Sequence, residues 1–362
     1  MKVSIGSRIV EGPWGGGNLF AINLRDYLIN KGHKVVFDLS DDDIDLILLT
    51  DPRSKKESSS TFNHIDILKY KTLVNPYVSV IQRINECDER KNTNNINKLY
   101  LEASKVSDHV IFVSTWLKDI YTNLGLSSNK ASVILAGSNK EIFNDNDSLI
   151  WDGKEKLKIV THHWSSHENK GFKVYQYLDE LISKKDWNEK FEFNYIGNLS
   201  AEYNFENTKI SKPLHGIKLA NELKKSHIYI TASENEPSGN HHIEAAQCGL
   251  PIIYLNSGGI PEYCKGFGVE LKNLEDSLEI MQKEYMNYKE SLKKYPFNSD
   301  LMCEQFLKVF EKIHIQNKHN KKDFKIDLKG KIFLLSNRFR KLFTYFKLNT
   351  IVKAKIKKII GK

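Results

Sequence analysis

The sequence predicts an α/β protein built from two doubly wound halves that face each other across a cleft, followed by a basic amphipathic tail. Three observations carry that prediction. Short apolar, β-rich runs alternate with helix-period segments almost throughout, the pattern of parallel sheets joined by right-handed crossovers. The alternation restarts after the polar stretch "NKEIFNDNDSLIWDGKEK", near residue 150. At 362 residues the chain is long enough for two domains, each burying its own core. The expected division is 1–150, 151–317 and a tail over 318–362.

In the first half, "KVSIGSRIV" reads as a strand and "EGPWGGGN" as a loop. A helix follows, with Phe20, Leu24, Tyr27 and Leu28 on one stripe and Gly32 at its end. "KVVFDL", "DLILLT", "YVSVIQ", "HVIFVS" and "ASVILA" are further short strands, with helical pieces "INKLYLEASK" and "WLKDIYTNLG" between them. In the second half "LKIVTHHW", "FEFNYIG", "HIYITAS" and "PIIYLNS" are strands, and helices are predicted over 171–184, 215–225, 241–248, 274–294 and 299–315. Ligands of such sheets bind at the carboxyl ends of the strands and, with two domains, in the cleft between them.

Hydrophobic content of 40% and charge of 27% are ordinary for a soluble globular chain. No apolar run approaches the roughly 20 residues needed to span a bilayer. The start reads directly into a strand, so no cleaved signal peptide is expected. Cys87, Cys248, Cys264 and Cys303 are widely spaced, which argues against a zinc ribbon or a disulfide scaffold and makes the cytoplasm the default. The net charge of +9 is uneven. From residue 318 onward, 15 Lys/Arg face only Asp323 and Asp327, a local balance of +13, so the first 317 residues carry −4. An anionic partner is therefore expected for the tail alone.

The stretch "ENEPSGNHHIEAAQCGLPIIYLNSGGIPEY" holds Glu236 and Glu244 around a glycine turn. Glu236 falls just past a strand's carboxyl end. The next helix starts at Ser238-Gly239-Asn240, where free N–H groups and a partial positive charge suit a phosphate or sugar oxygen. Gly239 admits close approach to the backbone. Glu244, one or two turns into that helix, is within reach of a ribose diol; the alternative is two solvated acids.

This stretch resembles the donor site of the retaining GT-B glycosyltransferases of family 4. It matches their Glu-x7-Glu pattern at Glu236, Gly239, Glu244, Ala245, Gly249, Pro251, Gly258, Gly259 and Glu262. The resemblance implies two Rossmann-like domains, a nucleotide diphosphate-sugar donor and no cofactor. It also implies that Glu236 contacts donor-sugar hydroxyls and Glu244 the ribose. Pro237 and Ser238 depart from the usual Gly-Phe, which suggests a sugar pocket of its own shape. Gly15, Gly16 and Gly17 resemble the family's N-terminal glycine loop near the donor pyrophosphate. "SVILAGSNKEIF" is similar to another family segment, with Ser138 and Asn139 as architectural departures.

Relatives carry an arginine about six residues before a Lys-Gly. Here Lys170-Gly171 is present without it, and His162, His163, Trp164 and His167 occupy the stretch. Lys170 is expected to be the main phosphate cation, helped by polar neighbours such as His163, whereas His162 reads as a hydrogen-bonded loop residue. The histidine spacing matches no standard zinc site. Arg83, Asn85 and Asp88, in "VIQRINECDERKNTN", are candidates for acceptor hydroxyls. "DDDIDL" at 41–46 reads as a surface turn rather than a metal motif.

In the tail, Ile332, Leu335, Phe339, Leu342 and Phe346, and then Val352, Ile356, Ile359 and Ile360, recur at helical spacing among basic residues. That pattern suits an anionic membrane surface better than nucleic acid, and a helix docked on the body is the alternative. The expected activity is metal-independent sugar transfer, with retention, to a glycan or lipid-linked glycan in bacterial surface polysaccharide or lipopolysaccharide assembly. The enzyme is expected at the inner face of the cytoplasmic membrane. A GT-B sugar-nucleotide epimerase and a catalytically silent membrane adaptor are the competing classes.

Overall fold

The computed structural model describes residues 1–10, 15–53, 58–318 and 324–339. The described part of the chain forms two six-stranded sheets, every strand pair parallel. The first holds β1 (Lys2–Ile5), β2 (Lys34–Val36), β3 (Leu46–Leu49), β4 (Ser79–Ile84), β5 (His109–Phe112) and β6 (Ala131–Val133), in the order β2-β1-β3-β4-β5-β6. The second holds β7 (Leu157–His163), β8 (Phe191–Gly197), β9 (Lys209–Ser211), β10 (Ile228–Thr231), β11 (Ile252–Tyr254) and β12 (Gly268–Glu270), in the order β12-β11-β10-β7-β8-β9. Around the first lie α1 (Gly16–Asn30), α2 (His64–Leu73), α3 (Ile96–Ala103) and α4 (Thr115–Asn123). The second carries α5 (Phe172–Ile182), α6 (Lys185–Asn188), α7 (Gly216–Leu223), α8 (Asn240–Gln247), α9 (Ile260–Cys264) and α10 (Leu274–Leu292).

Both sheets are covered on both faces, which is why their strands are continuous apolar runs rather than alternating ones. Neighbouring residues of a strand enter opposite cores. Leu46 and Leu48 pack with Val3, Ile5 and α1, while Ile47 and Leu49 pack with Ile67 and Tyr70 of α2. In the second sheet Ile159 joins Tyr175 and Phe193, and Val160 joins Tyr229, Ile243 and Ile252. The last long helix, α11 (Ser299–Lys318), crosses back to the first sheet, where Met302, Phe306 and Phe310 pack against Val3, Phe20 and Leu24.

The domains are also joined by polar contacts. Glu262 of α9 accepts from the Thr115 backbone N–H at 2.7 and 2.9 Å and from Trp116 at 3.1 Å, capping α4 of the opposite domain. The Tyr263 hydroxyl donates to the Val113 carbonyl at 2.6 Å and accepts from the Ala136 N–H at 2.9 Å.

A helical run over 328–339 docks on the first domain. Leu334 is buried beside Tyr70 and Val74, and Arg338 Nε donates to the Ser40 carbonyl at 3.1 Å. Leu328, Ile332, Leu335 and Phe339 face outward, 50–72% exposed. The docked helix and the exposed stripe, posed as alternatives from the sequence, are two faces of one element here. Leu342, Phe346, Val352, Ile356, Ile359 and Ile360 lie outside the described residues. No described helix is long and apolar enough to cross a membrane.

Candidate active site

In the second sheet β7 and β10 lie side by side while their connections leave to opposite sides, a topological switch point where α/β sheets open a crevice. The segments after these two strands carry Lys170 and Glu236. They border a cavity of about 540 Å³ between the domains. The second domain lines it with His162, His163, Lys170, Glu236, Gly239, Asn240, His241 and Glu244, and the first with Gly15, Gly16, Phe20, Arg83, Arg90 and Ser138.

Glu236 is 4% exposed and bridges the two domains. One carboxylate oxygen accepts from Lys170 Nζ and the other lies 3.2 Å from Arg90 Nη2. Burial alone would raise its pKa, but the Lys170 ammonium and the Arg90 guanidinium outweigh that and hold it at about 2. Arg90 also pairs with Glu86 at 3.2 Å, and its carbonyl accepts from Asn169 Nδ2, next to Lys170. Lys170 closes a short 3₁₀ turn, Glu168–Lys170, that runs through Gly171 into α5.

Glu244, 6% exposed, faces the same cavity from α8, with Oε2 at 3.1 Å from His162 Nε2. His162 is therefore not a loop residue: it lies in β7, buried, and positions the Glu244 carboxylate. His163 Nε2 is 2.8 Å from the Tyr175 hydroxyl, and His241 Nε2 is 3.0 Å from Thr231 Oγ1. Burial, then nearby positive groups, pushes His163 and His241 well below the ordinary histidine range. His242 is pushed by burial down to about 3, and its Nε2 has no hydrogen-bond partner.

The remaining residues singled out from the sequence divide by position. Gly17, Ser238, Gly258, Gly259, Asn85 and Asp88 are not among the cavity-lining residues. Gly258 and Gly259 instead support the Glu236 backbone. A Cβ on Gly258, at φ +64°, would sit 2.4 Å from the Glu236 carbonyl oxygen, and one on Gly259 would sit 2.2 Å from that of Pro237. The Gly259 N–H also donates to the Glu236 carbonyl at 2.9 Å. Asp88 is spent on the start of α3, accepting from Ile96 N at 2.9 Å, Asn97 N at 3.0 Å and Thr93 Oγ1 at 2.6 Å. Arg83 lines the cavity with its guanidinium 4.0 Å over the Phe20 ring. In "DDDIDL", Asp41 and Asp43 pair with Lys2 at 2.5 and 2.6 Å. Among the described residues no group of three or more His, Cys, Asp and Glu is placed to hold a metal ion.

Sequence reasoning missed Arg90. It sits in the charged run "DERKN", which reads as a solvated loop because nothing local reveals that the opposite domain brings Glu236 to it.

The fold and the position of this cleft define the two-domain GT-B architecture. Residues 189–276 match the family described as "Glycosyl transferases group 1". That span contains Glu236, Glu244, Gly258, Gly259 and Glu262 but not Lys170. No curated protein sequence matches the chain. Among solved structures, a glycosyltransferase from Rickettsia africae ESF-5 is 18% identical, with a TM-score of 0.57 and coverage of 86% of this chain and 98% of that one. Anabaena Alr3699/HepE in complex with UDP and glucose is 12% identical, with a TM-score of 0.62 and coverage of 86% and 100%. Sucrose-phosphate synthase from Thermosynechococcus elongatus is 13% identical, with a TM-score of 0.57 and coverage of 87% and 99%. At these identities the likeness is one of fold.

Proposed function

We propose that the cleft transfers a sugar from a nucleotide diphosphate-sugar to a hydroxyl of an acceptor seated against the first domain. The observation that carries this reading is the buried Lys170–Glu236–Arg90 cluster, one carboxylate between cations from both domains, with Glu244 on the same cavity. The family match over 189–276 supports the activity class.

In this reading the donor diphosphate meets Lys170 and Arg90, with backbone N–H groups at the start of α8 and at Gly15–Gly16 facing the same charge. Arg90 takes the place of the arginine absent before Lys170. Glu236, released from part of its pairing, accepts donor-sugar hydroxyls, and Glu244, held by His162, accepts the ribose diol. The acceptor oxygen forms its bond to the anomeric carbon as the bond from that carbon to the phosphate oxygen breaks. The bonding pair leaves on the diphosphate, whose oxygen takes the acceptor proton. No protein nucleophile is required, and attack on the departing face gives retention. Lys170 and Arg90 provide the charge neutralisation for which a donor-bound metal would otherwise serve. The acceptor is a glycan or lipid-linked glycan of surface polysaccharide or lipopolysaccharide assembly, and the tail brings the enzyme to the inner face of the membrane.

Calorimetric titration with UDP, GDP, ADP and CMP tests the donor site, starting with UDP because Anabaena HepE is solved with it. One nucleotide should bind, and Glu244→Ala should weaken it by about 1.5–3 kcal/mol for each hydrogen bond lost. Unchanged affinity in a folded Glu244→Ala protein would remove the ribose assignment, and no binding of any nucleotide would remove the reading.

A further inference from the structure

Arg83, in β4, is 5% exposed. Its guanidinium lies over the Phe20 ring at 4.0 Å, and its Nε has no hydrogen-bond partner. Burial pushes its pKa down to about 10, offset in part by the nearby Tyr263 and Tyr100. It therefore stays charged at neutral pH, and among the described residues no carboxylate pairs with it. The cavity's other strong cations are matched, Lys170 by Glu236, and Arg90 by Glu236 and Glu86. An aromatic face offsets part of the cost of burying a guanidinium but does not replace an anion. Leu19, Ile22 and Met302 line the same cavity as Arg83 and Phe20.

We propose that Arg83 anchors an acidic group, carboxylate or phosphate, carried by the acceptor, whose adjoining apolar part packs on Leu19, Phe20 and Ile22. The planar fork of arginine suits either oxyanion in a bidentate pair. We assign the anion to the acceptor because the Glu236 cluster already holds Lys170 and Arg90 together for the donor diphosphate, whereas Arg83 stands outside that cluster on the first-domain wall. The inference rests on reading the cleft as a donor and acceptor site.

The test uses the full chain, first saturated with UDP (or with whichever of GDP, ADP or CMP binds) to fill the diphosphate subsite. Butyl phosphate, butyrate and 1-butanol are then titrated by ligand-observed NMR into wild type and Arg83→Met. At least one acidic probe should bind wild type tenfold or more tightly than 1-butanol. Which acid wins distinguishes phosphate from carboxylate. In Arg83→Met that preference should shrink to within twofold while nucleotide affinity stays within twofold of wild type. Equal binding of the three probes to wild type, or a preference that survives in Arg83→Met, overturns the proposal. A tenfold loss of nucleotide affinity in Arg83→Met also overturns it, because Arg83 would then serve the donor. Failure of wild type to bind any nucleotide would instead sink the donor-site reading beneath it. Arg83→Gln provides the same comparison if Arg83→Met does not fold, and a purely structural Arg83 would lower thermal stability without changing probe preference.

Discussion

At Glu236 paired cations outweigh burial, at His242 burial decides, and each group has its own pH window. Glu236 titrates at about 2 in the folded protein against 4.5 for an ordinary glutamate. Its stabilising contribution is complete above pH 4.5 and is lost as pH falls toward 2. The buried histidines act earlier. An unfolded histidine gains its proton near 6.5, whereas folded His242 stays neutral down to about 3. Their contribution is therefore complete above pH 6.5 and falls on acidification, by about 1.4 kcal/mol per pH unit for each such ring. Urea unfolding at pH 7.5 and 5.5 checks this. Wild type should lose stability between the two, and His242→Gln should lose about 1.4 kcal/mol less. Equal losses would mean that His242 does not stay neutral in the fold.

At the scale of elements, the run over 328–339 presents opposite faces to the protein and to solvent. Leu334 and Arg338 hold it to the first domain, leaving Ile332, Leu335 and Phe339 outward. Lys329, Lys331 and Arg338 are spaced along the same run. Ile65 and Leu68 of α2 are also 51–53% exposed. Such a face suits the interface of an anionic membrane, where each basic residue near the surface adds about 1 kcal/mol. Co-sedimentation with vesicles of anionic and neutral lipid tests it. Wild type should pellet with the anionic vesicles, and replacing Ile332, Leu335 and Phe339 together by Ser should release most of it without lowering the thermal midpoint. Undiminished pelleting of the triple variant would place the contact elsewhere.

Over the whole molecule, all six strands of the first sheet and the four central strands of the second were legible because short β-rich runs are local signals; the three-residue edge strands β9 and β12, and helices α2, α6 and α9, were not. Glu236 and Glu244 were legible through their spacing and the glycines after them. The purpose of those glycines was not, because it depends on packing between segments: Gly258 and Gly259 fit beneath Glu236 and Pro237 rather than lining the cavity. The role of Glu262 as a cap on α4, and the meeting of Arg90 with Glu236, were equally hidden, since both partners come from opposite domains. The ties of Asp88 to Thr93 and to the start of α3 were hidden for a related reason, since they depend on how the chain turns after β4.

The joining of one cation from each domain on the donor diphosphate is the claim on which the account turns. Its most direct test is the affinity of UDP against uridine, or of the preferred base in both forms, for wild type, Lys170→Met and Arg90→Met. Wild type should bind the diphosphate at least tenfold more tightly than the nucleoside. Each variant should lose about 10- to 150-fold in diphosphate affinity, the worth of a charged hydrogen bond, with nucleoside binding unchanged. Wild-type diphosphate affinity in a folded Arg90→Met protein, or no preference for the diphosphate at all, would contradict it.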